Sequence, residues 1–274
     1  MMAALDPRLL FEDGFESGDA RAWDGNLGHP SYSSAVELRP PGQMSCGGMT
    51  LIGGVAQASP YWSKAITYTG DVLYVSQWRL FPAGYSWSGT PAENARNNLH
   101  HKMVILDTAD NVGRFHLNLS AAGPSDVLSP QFRPEFESLT GPTPNGWLPK
   151  RWPTDGQWHR LEIEITRIPG SGRLRLWLDG ELFLDKPGTT CGAVRSPIVR
   201  AKIGAYVNQG AADTETFWVG KVKLYAGTRE QALAAELPPP PPPPPTRRQR
   251  LTAALEALGI ARTELDALLA MEDT

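Results

Sequence analysis

Cysteine is scarce in this chain, with only Cys46 and Cys191 among 274 residues. A fold stapled by many disulfides is excluded, and the two form either one bridge or two buried thiols, which their spacing does not decide. Charge of one sign is also lacking. A formal net charge of -3 removes bulk electrostatics as a way of choosing partners, so nucleic acid is not expected. No stretch reaches the roughly 18 apolar residues of a membrane span. The opening "MMAALDPRLLFEDGFESG" has no basic region followed by an apolar one, so no secretion signal is expected. The five histidines, His29, His100, His101, His116 and His159, show no zinc spacing beyond one adjacent pair, and adjacent residues on a strand face opposite ways. Gly-x-Ser-x-Gly, P-loop and dinucleotide fingerprints are absent. What remains is an ordinary globular composition, 41% hydrophobic and 20% charged, long enough for one large all-β domain and an appendage.

From residue 8 to about 226 the chain runs in short β-rich stretches bounded by Gly, Pro, Asn and Asp. Such stretches lie at 72–81, 99–106, 113–120, 157–168, 172–185, 200–209 and 216–225. In "HRLEIEITRI", Leu161, Ile163 and Ile165 share one face and Glu162, Glu164 and Thr166 the other. "GRLRLWLDGELFLD" alternates likewise and turns at Asp179-Gly180, a strong hairpin signal. Trp158 and Trp177 read as sandwich packing. Strands at this spacing predict a β-sandwich of the jelly-roll type.

The opening "LLFEDGFESGDARAW", the pair "DGQWHRLEIEIT" and "GRLRLWLDGELFLD", and the closing "TFWVGKVKLYAGT" resemble the concanavalin A-like, laminin G-like jelly rolls of lectins, glucanases and polysaccharide lyases. The resemblance covers roughly residues 8 to 227. It speaks for the fold and not for an activity.

After Tyr225 the pattern changes. Thr228 and Gln231 form a capping box for a short helix that must end before Pro238. Eight prolines, Pro238 to Pro245, predict a polyproline II rod of about 25 Å at about 3.1 Å per residue. Thr246 and Gln249 make a second box. Leu251, Leu255 and Leu258 then recur at helical spacing, Gly259 stops that helix, and Thr263 caps another carrying Leu265, Leu268 and Leu269. So short a helical hairpin cannot bury its own core, so these leucines are expected to face a partner or another copy of the chain, or else to fold back on the sandwich. The expected organisation is a jelly roll over 1–227, a short helix and polyproline linker over 228–245, and an anchoring or oligomerising helical segment over 246–274.

In "RAKIGAYVNQ", Lys202, Gly204, Tyr206 and Asn208 point one way and Ile203, Ala205 and Val207 the other, with Gly204 read as a gap that lets a ligand approach the backbone. The stretch resembles the K-x-G-x-Y-x-x-Q strand of jelly-roll alginate lyases and the related strand of heparin and glucuronan lyases, with Gln209 at its last position. The resemblance implies that Tyr206 acts as general acid or base and that Lys202 binds an acidic sugar. β-Elimination needs a neutraliser for the uronate carboxylate, a base for the adjacent proton and an acid for the leaving oxygen. A tyrosine serves only where cations stabilise its phenolate. The second half of such a site is sought in "ENARNNLHHKMVIL", which offers Arg96, His100, His101 and Lys102. This stretch departs from the lyase pattern, having neither Gln-x-His nor Arg-x-Glu-Leu-Arg. Met103 and Ile105 compete with Val104 and Leu106 for the core, so which histidine faces outward stays open. Tyr85, Trp87, Trp62 and Trp147 sit in loop-like stretches suited to stacking on sugar rings. Glu16 and Asp19, beside a glycine turn, are candidates for a structural calcium against the plain reading of a polar turn. No other cofactor is expected.

These features together predict a carbohydrate-binding jelly roll displayed on a larger assembly. A bacteriophage virion surface, as capsid decoration or fibre, suits it best, with the C-terminal helices as anchor and a glycan as the outward partner. A polysaccharide lyase using Tyr206, Lys202, Arg96 and one of His100 and His101 is the alternative reading, and a cell-surface adhesin a third.

Overall fold

A computed structural model describes residues 8–27, 29–52, 60–85, 99–110, 114–121, 131–136, 148–153, 155–168, 171–188, 196–206 and 214–236. Its strands form two antiparallel sheets. One is ordered β12 (Glu181–Pro187), β11 (Arg173–Leu178), β10 (Trp158–Thr166), β6 (Val72–Leu80), β14 (Glu215–Ala226), β4 (Cys46–Leu51) and β3 (His29–Ser33). To it β1 (Arg8–Asp13) adds by pairing with the second half of β14. The other is ordered β2 (Gly25–Leu27), β5 (Tyr61–Tyr68), β13 (Ile198–Tyr206), β7 (Leu99–Thr108), β8 (Phe115–Ala121) and β9 (Gln131–Phe136). The chain is the expected jelly-roll sandwich.

Alternation builds the core. Leu161, Ile163 and Ile165 of β10 go inward with Leu73 and Val75 of β6, and meet Ala201 and Ile203 of β13 and Leu117 and Leu119 of β8. Burying each such large aliphatic side chain is worth about 1.5–3 kcal/mol. Cys46, on β4, is a free buried thiol whose pKa burial pushes up to about 12, so it stays protonated and unreactive.

The polar side of β10 is not solvated. Glu162 and Glu164 are buried beneath a helix, α1 (Arg229–Glu236), whose box closes reciprocally: Thr228 N–H donates to Gln231 Oε1 and Gln231 N–H to Thr228 Oγ1. Arg229 donates from Nε to Glu162 Oε1 at 2.9 Å and from its backbone N–H to Glu164 Oε2 at 2.8 Å. Arg175 meets Glu164 at 2.6 Å, and Tyr74 donates its hydroxyl to Glu162 at 2.5 Å. Ala232 packs on Tyr74 and Tyr225 in a cluster separate from the main core. The helix therefore lies on the outer side of the eight-stranded sheet, and the compact unit takes it in, running to Ala235. Among the described residues no helix is long and apolar enough to cross a membrane. The proline run and Leu251, Leu255, Leu258, Leu265, Leu268 and Leu269 lie outside the described residues.

At the β11–β12 hairpin, His159 joins two carboxylates, Nδ1 to Asp179 at 2.7 Å and Nε2 to Asp155 at 3.0 Å. Burial pulls its pKa down, but the two hydrogen bonds and charges outweigh this and leave it raised. A raised histidine pKa stabilises the fold fully below the unfolded value near 6.5, and that contribution is lost as pH rises through the folded pKa. The wild type should therefore lose melting temperature relative to His159→Gln as pH rises above about 6.5. Parallel melting curves across that range would refute the clamp.

Candidate functional site

Along β8, Phe115, Leu117 and Leu119 enter the core, so His116 and Asn118 stand on the outer face of the six-stranded sheet. Register sets what lies beside them. Lys202 of β13 pairs with Ile105 of β7, and Ile105 with His116, making one row across three strands. Tyr206, Lys102 and Asn118 make the next. Lys202 and His116 are thus two strands apart, about 9–10 Å at the usual strand spacing.

Asp107 braces the cations of this face. Lys202 Nζ lies 2.8 Å from its Oδ2 and Arg114 Nε 2.7 Å from its Oδ1; the second contact is not aligned as a hydrogen bond and acts through charge. Lys202 also sits 5.5 Å above the Tyr61 ring. Asp107 is 6% exposed, whereas the Arg114 and Lys202 side chains keep 29% and 18% exposure. The cations are the accessible members.

Burial, then the charges of Lys102, Arg114 and Lys202, push the His116 pKa down to about 3. Its imidazole is therefore neutral near pH 7 and resists protonation there. Asn118 is fully buried, and neither its amide oxygen nor its nitrogen has a hydrogen-bond partner. An unpaired buried group of this kind costs about 1–3 kcal/mol. Three cations, a neutral imidazole and an unsatisfied amide form an arrangement suited to a carboxylate-bearing ligand.

Several sequence expectations change place. His101 is 3% exposed, against the core residue Tyr85 at 6.0 Å between rings, so it is not an outward histidine. The cause is a register shift between Lys102 and Val104, which turns Met103 and Val104 both inward and breaks simple parity. Tyr85 and Trp62 are core residues and not sugar platforms, Tyr85 packing on Phe81 and Trp62 on Phe15. Gly204 is not a ligand gap. A Cβ there would collide with the Pro60 carbonyl oxygen and lie 2.6 Å from Tyr61 Cβ, because β5 closes over it. Glu16 accepts from Met44 N–H at 2.9 Å and Asp19 from Arg21 Nε at 2.9 Å. No group of three His, Cys, Asp or Glu suited to a metal occurs among the described residues.

Lys202 keeps its expected place. Tyr206 and His100 hold strand positions opposite Lys102 and Ser120, and their side chains lie outside the described residues, as do Arg96, Trp87, Trp147, Asn208 and Gln209 entirely. His116, Asn118, Arg114 and Asp107 were missed, although "RFHLNLS" already alternates core residues with His, Asn and Ser.

No protein-family model and no curated protein matches this chain in sequence. Solved structures match its shape. An endo-β-1,4-glucuronan lyase from the fungus Trichoderma reesei superposes with TM-score 0.55 at 12% identity, covering 80% of this chain and 95% of that one. The shared fold is the jelly-roll sandwich. The alginate lyase Aly36B matches with TM-score 0.53 at 14% identity over 81% and 97% of the two chains. A carbohydrate esterase from the Shiga toxin-encoding bacteriophage phi24B matches with TM-score 0.52 at 12% identity over 81% and 100%. At such identities the likeness speaks for the fold.

Proposed function

We propose that the outer face of the six-stranded sheet binds an acidic polysaccharide, a uronate polymer being the simplest. The observation that carries this is the convergence of Lys102, Arg114 and Lys202 on a neutral His116 beside the unpaired Asn118 amide. Bound carboxylates would relieve the mutual repulsion of these groups and raise the His116 pKa. The lyases that share the fold act on glucuronan and alginate, which supports the same ligand class.

A lyase activity is the second reading, favoured by Tyr206 standing opposite Lys102 in register. A cation would neutralise the uronate carboxylate, and a Tyr206 phenolate would take the C5 proton. The electron pair would form the C4=C5 bond, the C4–O bond would break, and an acid would protonate the leaving oxygen. Display on a virion or similar assembly is a further part of the proposal. It is supported by the proline run and the leucine pattern of the C-terminal sequence.

Titration calorimetry with oligosaccharides of alginate, glucuronan, heparin and pectate should show binding that weakens with salt. Absence of binding to all four at low salt would sink the ligand reading. An absorbance assay for unsaturated uronate ends separates the two chemistries: a signal abolished by Tyr206→Phe makes the protein an enzyme, and binding without signal leaves it a recognition module.

A further inference from the structure

Arg79, on β6 of the eight-stranded sheet, is fully buried in the sandwich, and burial pushes its pKa down to about 9. It crosses to the opposite sheet. Its Nη1 donates to the Gly204 carbonyl at 2.9 Å and its Nη2 to the Met103 carbonyl at 2.5 Å, while Nε is held by Gln77 Oε1 at 3.1 Å. The Phe217 ring lies 5.5 Å from the guanidinium.

Those two carbonyls sit where the ladders of the ligand face are interrupted. Met103 falls within the register shift between Lys102 and Val104 against β8, and Gly204 within the shift between Ile203 and Tyr206 against β7. The consequence is visible in the spacing of the two polar rows. The Lys202 row and the Tyr206 row are two residues apart on β8 (His116, Asn118), three on β7 (Ile105, Lys102) and four on β13 (Lys202, Tyr206). Each strand nearer β13 carries one extra residue. An extra residue leaves a backbone group without its ladder partner, which is costly when buried. One planar guanidinium serves both interruptions at once, a geometry a lysine ammonium on its flexible stem does not reproduce.

We propose that Arg79 is the positioning residue of the ligand face: it holds the double bulge that sets Lys102, Asn118 and Tyr206 beside Lys202 and His116. It touches no ligand. The inference rests on that face being a binding face, and its test separates the two.

The test compares wild type, Arg79→Lys and a core control, Ile163→Ala on β10, by affinity for the bound acidic oligosaccharide and by the ¹⁵N shifts of His116 between pH 4 and 7. In wild type and in Ile163→Ala, His116 should stay neutral throughout and affinity should be equal. In Arg79→Lys, affinity should fall at least fivefold and His116 should begin to titrate within the range, because Lys102 no longer keeps its row. Either readout left at the wild-type value overturns the inference while the ligand reading stands. The same changes in Ile163→Ala would also overturn it, by showing general loosening. If wild type binds no acidic polymer, the ligand reading fails and the His116 shifts alone decide: titration in Arg79→Lys keeps its positioning role, and flat shifts discard it. Should Arg79→Lys not fold, Gln77→Leu, which removes the acceptor at Nε, is judged in the same way.

Discussion

Lys202→Ala should lower affinity for an acidic oligosaccharide by about tenfold or more, since a hydrogen bond to a charged group is worth about 1.5–3 kcal/mol and 1.4 kcal/mol is tenfold. The melting temperature should move little. Asp107 loses one partner but keeps Arg114 at 2.7 Å, and Lys202 is itself partly exposed, so the ion pair contributes modestly to stability. The remaining binding should depend less steeply on salt, because one cation no longer takes part. Calorimetry at two ionic strengths reads both effects. Unchanged affinity with a shifted melting temperature would make Lys202 a structural partner of Asp107 and move the ligand elsewhere.

Gly204→Ala should destabilise the domain by about 1–3 kcal/mol, the usual range for overpacking, because the added methyl meets the Pro60 backbone and Tyr61 with no flexible side chain to yield. For a domain of this size that corresponds to a melting temperature lower by roughly 2–12 °C. Binding should fall as well. Pushing β5 aside moves the Tyr61 ring from beneath Lys202 and strains the carbonyl that Arg79 holds. A variant that melts and binds like wild type would show that β5 and β13 are free to separate here.

Much of the fold could be read from alternation. The strand stretches at 72–81, 157–168, 172–185 and 216–225 all appear within two residues of their expected limits, apart from the turn at Asp179-Gly180 that divides the third. Short edge strands such as β2 and β3 were not legible, since three to five residues hold too little periodicity and form only because a neighbour offers a ladder. Alternation placed Glu162 and Glu164 on the face opposite the core of β10 but did not show what covers them: they are buried because a helix more than sixty residues later brings Arg229 to them.

The sequence by itself determined the sandwich, the Asp179-Gly180 hairpin, the Thr228–Gln231 cap and the outward placing of Lys202, because each depends on a few neighbouring residues and their period. Tertiary structure decided which residues surround Lys202. Asp107 comes from β7, His116 and Asn118 from β8 and Arg114 from just before β8, and their meeting depends on register between segments far apart in the chain. It also decided the inward turn of His101, through a bulge that breaks parity, and the closed space over Gly204, through β5 lying against it. Period two carries no information across a bulge, since one extra residue sends every later side chain to the other face.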